Sequence, residues 1–446
     1  MALQDVLPRT WQVVGDDATV GGVPLSAIAD RYGTPAYVFD VAHLRDRFDE
    51  IAAALDGVGT PVYATKAFLC TALAEMLAAN GWWADVVSLG EAESVHRGGV
   101  PSSRIILHGN LKTDAELRLA VNGDVAMTVI DSLDELARLT EMAEEADTTV
   151  DVMIRLNEDV DLSTHPKVLT SGEEAKFGLV PDEAEVALAR VQSSGSVRLR
   201  GVHLHVGSQA LDPALYGVLV ERLVAFVDRH RQRFEVSPII LNLGGGLASP
   251  YLRDDEVIEP AAVGAAIRTA LEGLEAPERV GAIEIMLEPG RAVVANAAVL
   301  LYTVGVRKPL PLGGELVALD GGMTDNPRPA LYGSEYELLA VDKLSEPASA
   351  SFRVFGRMCE SDVLLEKVML PPSIRSGDLV AMPGAGAYTF SMSSRYNGIR
   401  RPPVLFVEDG VVREVVERET LEHVLAGEKT FDGAAAWSYT PGIEQG

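Results

Sequence analysis

A lysine, a pair of histidines, a run of glycines and a Glu-Pro-Gly-Arg segment are the residues of this chain best suited to chemistry. Lys66 stands in "PVYATKAFLC" (61–70), an otherwise apolar run. A buried ammonium without a partner is costly. The lysine therefore either snorkels to solvent or serves a pocket that needs its amine. Strand alternation puts Val62, Ala64 and Lys66 on one face. Burial and cationic neighbours would lower its pKa and suit it to forming a Schiff base. "NLGGGL" (242–247) offers the backbone N–H groups of Gly244, Gly245 and Gly246 without side chains, a shape that wraps an anion such as phosphate. "EPGR" (288–291) adds the Gly290 N–H and the Arg291 guanidinium. Glu288 could pair with Arg291, or it could face a pyridine nitrogen and keep that ring protonated as an electron sink. "HLHVGS" (203–208) sets His203 and His205 on one strand face, followed by Ser208. A metal would need a third ligand at suitable spacing, and none is evident. An imidazole stacked on a planar cofactor fits His205 better, while His203 also reads as a satisfied core residue.

These residues need a scaffold that gathers strand ends. Apolar strand-like runs occur at 61–67, 83–89, 104–110, 126–132, 150–157, 200–208, 239–246 and 283–291. Helix-like segments with apolar residues three and four apart lie between them. "SLDE" at 132–135 matches a helix N-cap with an acid three residues on. Alternating strands and helices argue for parallel βα units, and eight strands close a (β/α)8 TIM-type barrel. A doubly wound open sheet would place its Gly-rich turn after the first strand; here the glycines follow the seventh and eighth, where barrels hold phosphate. Barrel active sites lie at the C-terminal strand ends. Lys66, Asp85, Ser88, His108, Asn110, His205, Ser208, Glu288 and Arg291 all fall there. From residue 292 onward, β-like runs separated by Gly, Pro and Asp predict a mostly-β domain. The expected division is a segment 1–35 packing with that β domain, a barrel over 36–291, and the β domain over 292–446. Its loops "DGGMTDNPRPALYG" (320–333), "GRMCESD" (356–362) and "PGAGAYTFSMSSRYNG" (383–398) collect reactive side chains, and function concentrates on loops.

Composition narrows the class. The chain has 446 residues, 47% of them hydrophobic, and a formal net charge of −27. That acidity disfavours nucleic acid and anionic membranes as partners. The two cysteines, Cys70 and Cys359, are far apart, which suits a reducing compartment better than a disulfide scaffold. The N-terminal residues show no basic-then-apolar signal pattern, and no apolar run approaches the ~18 residues of a spanning helix. A cytoplasmic enzyme is the resulting expectation.

"YATKA", "HGNLK", "THPKVLTSGEEAKFG", "HVGSQ", "GGGL", "EPGR", "DGGMTDNPRPALYG", "CES" and "AYTFSMSSRYN" occur in that order. Together they resemble the alanine-racemase-like (fold type III) pyridoxal-phosphate decarboxylases, and more narrowly the diaminopimelate decarboxylases, from about residue 30 to 425. The resemblance implies that Lys66 holds pyridoxal 5'-phosphate, that His205 stacks on its ring and that Glu288 pairs with the ring nitrogen. It implies a phosphate site made by Ser208, Gly245, Gly246, Gly290 and Tyr388, with Arg291 also at the cofactor. It assigns the distal carboxylate of the substrate to Arg291, Arg328 and Tyr332, with Tyr388 close by, and the distal ammonium to Glu360. Cys359 would protonate the reacting carbon after CO2 leaves. The implied reaction is decarboxylation of meso-2,6-diaminopimelate to L-lysine, in a homodimer whose Cys-Glu pair reaches across the interface. The sequence departs from the family pattern at "CESD", one residue short, at "SLGE" with Leu89, and at "GGGLA" with Ala248. A related substrate (ornithine, lysine or arginine) and a non-catalytic cofactor-binding homologue are the alternatives. Retained Lys66, Cys359 and Glu360 speak against the latter.

Overall fold

The computed structural model describes residues 3–157, 176–274, 281–311, 313–361, 363–431 and 433. Most of "THPKVLTSGEEAKFG" and Asp362 of "CESD" lie outside the described residues. Three short strands, β1 (Gln12–Val14), β2 (Asp17–Val20) and β3 (Val23–Pro24), form an antiparallel sheet near the N-terminus. β4 (Ala36–Asp40) follows. Then come the eight strands that define the molecule: β5 (Gly59–Ala64), β6 (Trp83–Val86), β7 (Ile105–Leu107), β8 (Met127–Ile130), β9 (Val150–Arg155), β10 (Val197–His203), β11 (Ile239–Asn242) and β12 (Ile283–Leu287). They close into an all-parallel barrel, β12 pairing back onto β5.

Their near-continuous apolar character follows from burial on both faces. Val62, Ile106, Met127, Val129, Met153, Ile240 and Met286 fill the barrel interior. The alternate residues, such as Tyr63, Ala84, Leu107 and Ile154, pack outward with the helices. Strand β10 approaches β11 so closely that a Cβ at position 201 would lie 2.0 Å from the Ile240 carbonyl oxygen, which explains Gly201.

Ser132 caps the helix Leu133–Glu145, accepting from the Glu135 N–H at 3.2 Å. The Glu135 carboxylate does not return to the cap. It turns inward to Lys112, 2.8 Å away. Lys112 is fully buried and spends its other donors on the carbonyls of Gly109 and Val129, at 2.8 and 2.7 Å. This pins the loop after β7, which carries His108. Lys112→Ala would strand a buried carboxylate, and we expect it to destabilise the fold by roughly 3–5 kcal/mol, read as a lower denaturant midpoint at unchanged slope.

The second sheet contains β13 (Ala298–Pro309), β14 (Glu315–Leu319), β15 (Leu339–Ala340), β16 (Ala350–Phe355), β17 (Val363–Leu370), β18 (Leu379–Pro383), β19 (Val404–Glu408) and β20 (Val411–Val416). Its order is β17-β16-β14-β13-β4-β19-β20, with β18 and β15 branching from β13. β4, which the boundary 36–291 assigns to the barrel, sits at the centre of this sheet: antiparallel to β13 and parallel to β19. The boundary is therefore corrected: a strand goes where its partners are, and the partners of β4 all come after the barrel. Leu7, Trp11, Val20, Leu25 and Ile28 share a core cluster with Val38, Val299, Leu301, Leu405 and Val407 of this sheet. Among the described residues, no helix is long and apolar enough to cross a membrane.

Candidate active site

The C-terminal mouth of the barrel holds a cavity lined by Ala64, Lys66, His205, Ser208, Gly245, Gly246, Leu247, Glu288, Gly290, Arg291 and Tyr388. The structure thus brings together every residue expected at the cofactor.

Lys66 lies in a single helical turn, Thr65–Ala67, just past the end of β5 rather than on the strand. Protein surrounds it, yet water reaches the side chain through the cavity. Burial pushes its pKa down, but Asp85, with Tyr388 and Glu288, outweighs burial, and the net displacement is upward. The expected lowering by cationic neighbours is therefore corrected. The neighbours that matter are carboxylates from other strands. Asp85 is fully buried, and neither of its oxygens has a hydrogen-bond partner among the described residues.

The glycine loop is shaped by what it packs on. Asn242, at the end of β11, accepts from the Gly244 N–H at 2.9 Å and donates to Glu288 Oε1 at 2.6 Å. Gly244 has φ +65°, and a Cβ there would meet the His205 ring at 2.7 Å. Gly245 donates its N–H to His205 Nδ1 at 3.2 Å, which fixes the imidazole. Burial, reinforced by Lys66 and Arg155, holds His205 well below its ordinary value. A neutral ring is what stacking on a flat cofactor requires.

Arg291 does not pair with Glu288. It donates to Ser208 Oγ at 3.1 Å and to the Tyr251 hydroxyl, and it lies over the Tyr388 ring at 4.8 Å. Tyr388 adopts φ +58°, a region rare for a bulky residue. Its N–H bonds the Ala67 carbonyl at 2.7 Å, tying the second domain to the Lys66 turn. Arg328 is buried in the short helix Arg328–Tyr332. It donates to the Tyr336 hydroxyl at 2.7 Å and faces the rings of Tyr251, Tyr388 and Tyr332 at 5.3, 5.8 and 5.8 Å. Both guanidiniums thus share one tyrosine frame, although Arg328 itself does not line the cavity. Tyr332 is half exposed.

Cys359 and Glu360 are exposed and line no part of the cavity. The Asn397 side chain accepts from the Cys359 N–H at 3.0 Å, and Tyr396 donates its hydroxyl to Glu360 at 2.5 Å. Sequence reading missed Tyr251, Tyr336 and Asn242. The polar Asn242 at a strand end was the one available signal. The third group that a metal reading of "HLH" lacked does exist in space. It is Glu288, with His108 beside it and His205 elsewhere. His203 hydrogen-bonds Glu288 at 3.3 Å, and His108 Nε2 approaches it to 2.9 Å.

A barrel mouth with an amine, glycine loops and a buried carboxylate defines a pyridoxal-dependent enzyme. The fit rests on Lys66, the orphaned Asp85 oxygens and loops packed too tightly to carry Cβ atoms. Residues 41–295 match the pyridoxal binding domain of the pyridoxal-dependent decarboxylases. Diaminopimelate decarboxylase of Actinosynnema pretiosum is 41% identical over 417 residues, covering 92% of each chain. That of Bacillus subtilis is 37% identical over 412 residues, covering 91% of this chain and 94% of its own. The crystal structure of the M. jannaschii enzyme superposes with a TM-score of 0.88 at 30% identity, covering 95% of this chain and 98% of its own. The same enzyme has been solved in co-complex with L-lysine. The chain belongs to the pyridoxal-dependent decarboxylases, in the diaminopimelate decarboxylase family.

Proposed function

We propose that this protein converts meso-2,6-diaminopimelate to L-lysine and CO2. The observation that carries the substrate is the pair Arg291 and Arg328 set around one tyrosine ring at the cavity wall. Diaminopimelate bears an amino acid group at each end, so the end that does not react must be recognised as a zwitterion. Paired guanidiniums suit its carboxylate.

Lys66 Nζ would be the covalent anchor for pyridoxal phosphate. When bound, that cofactor supplies an electron-withdrawing ring that stabilises negative charge on the α-carbon. His205 would wall one face of its ring. Ser208, Gly246 and Gly290 would offer donors to the phosphate, with Gly245, Tyr388 and Arg291 beside them. Glu288 would keep a proton on the ring nitrogen. Arg328 and Tyr332 would orient the distal carboxylate, Glu360 the distal ammonium, and Cys359 Sγ would return a proton to the carbon that lost CO2.

Cys359 and Glu360 do not line their own chain's cavity, and that supports a homodimer in which each copy completes the other's site. Exposed Leu331, Tyr332 and Tyr396 on the second domain, and Val87, Leu89 and Leu111 at the barrel rim, offer apolar surface for it. We take the domains as a barrel over about 41–297, with the preceding strands joined to 298–431. Two free cysteines and the acidic composition support a cytoplasmic location.

The test is CO2 release across a substrate panel. Diaminopimelate should exceed lysine, ornithine and arginine in kcat/KM by roughly a thousandfold or more, because those substrates leave the buried Arg328 and the half-buried Arg291 without a carboxylate. Faster turnover of ornithine would overturn the substrate. Arg328→Ala should lower kcat/KM for diaminopimelate roughly 10- to 200-fold, the worth of one charged hydrogen bond. Cofactor absorbance should stay at the wild-type level. Parallel loss of both would make Arg328 structural.

A further inference from the structure

Glu288 is held by more than the cofactor reading requires. Its carboxylate is buried at the C-terminal end of β12. Oε1 accepts from Asn242 Nδ2 and lies 2.9 Å from His108 Nε2. Oε2 lies 3.3 Å from His203 Nε2. The approach of His108 is oblique, so its attraction is mainly electrostatic, whereas His203 makes a hydrogen bond. The two imidazoles meet edge to face, centroids 5.1 Å apart. Asn242 and His203 come from β11 and β10, and His108 from just beyond β7. Three separate strands therefore grip one carboxylate.

The electrostatics follow the geometry. Burial alone would push Glu288 up, but His108 and His203 outweigh it and hold it well below the usual carboxylate range. Burial holds His203 down at about 4, so it acts as a neutral N–H donor. The other charged groups facing the cluster are Lys66, Arg155 and Asp85. Burial pushes Asp85 the opposite way, upward. Two neighbouring carboxylates are thus driven apart, one toward the acid and one toward the anion.

We propose that His108 and His203 are positioning residues that clamp Glu288 as a fixed anion facing the cavity, so that the proton shared between Glu288 and the cofactor ring stays on the ring nitrogen. This rests on the reading that Glu288 faces that nitrogen. Each imidazole removed, the hydrogen-bonding His203 or the close-lying His108, makes the carboxylate a stronger base, and the proton moves from ring to carboxylate. One hydrogen bond to a charged group corresponds to roughly one pKa unit or more.

The experiment uses holoenzyme loaded with pyridoxal phosphate carrying 15N in the ring, with the ring-nitrogen resonance followed between about pH 6 and 9, around neutral titration. Wild type should stay protonated throughout. His203→Phe and His108→Phe should each lower the ring titration by about one unit or more, the double variant by more than either, with KM for diaminopimelate within about twofold and kcat down roughly tenfold. His203→Gln, which keeps an N–H donor, should restore most of the protonated signal. Phe variants that hold the cofactor and titrate like wild type would overturn the clamp. If the Phe variants fail to fold, His203→Asn and His108→Asn draw the donor back, and an unchanged titration in them is equally fatal. A wild-type protein that takes up no cofactor would instead sink the cofactor reading, and the clamp with it.

Discussion

Lys66→Ala is expected to abolish the visible absorption band of lysine-bound cofactor and to lower kcat by roughly ten-thousandfold, as removal of a covalent anchor does elsewhere. Among the described residues that line the cavity Lys66 carries the one primary amine; the Nδ1 of His205 is engaged by the Gly245 N–H, and Arg291 is a guanidinium. Lys66→Arg separates charge from nucleophilicity. It keeps a cation beside Asp85 and Glu288 yet offers no usable amine, and it should be as inactive as alanine. Recovery of activity in the arginine variant would mean that Lys66 serves only to balance those carboxylates. An unchanged spectrum in Lys66→Ala would remove the basis of the proposed chemistry.

The second large effect is a gain. Lys66→Ala and Cys359→Ala proteins should each be nearly inactive alone. If each cavity takes Lys66 from one copy and Cys359 from another, mixed dimers contain one intact site. Random exchange in a closed two-fold dimer then restores about a quarter of wild-type activity. The motivation is geometric: Lys66 lines the cavity while Cys359 is exposed and outside it. No recovery after demonstrated subunit exchange would place both residues in one chain's site, or remove Cys359 from the reaction.

Much of this site was readable because its parts are short motifs at strand ends. Lys66, Ser208, Gly245, Gly246, Glu288, Gly290 and Arg291 each follow a run whose apolar character marks a doubly buried strand. Once eight strands close into a barrel, the ends must converge. What escaped is what depends on pairing across distance. β4 looks like any buried strand, and nothing local says that its neighbours are β13 and β19. His203 reaches Glu288 across 85 positions, so a histidine that reads as core is joined to the site only in space. The direction of the Lys66 shift failed for the same reason, since Asp85 arrives from another strand. Glu135 is a subtler case. The cap pattern correctly marks the helix start, but a buried ammonium is a stronger partner for that carboxylate than an exposed backbone N–H.

The pairing of β4 with β13 has a further consequence. The Asp40 N–H bonds the Ala297 carbonyl at 2.8 Å, so the chain leaves the second sheet and re-enters it at almost the same point. Topologically the barrel is a guest spliced into one hairpin-like step of its host. Pairing β4 with β13 before the guest folds would cost the closure entropy of the whole intervening chain. Synthesis from the N-terminus delivers β4 long before β13, leaving β4 an unpaired edge while the barrel is made. That closure cost favours an assembly in which the guest folds first and the host closes around it.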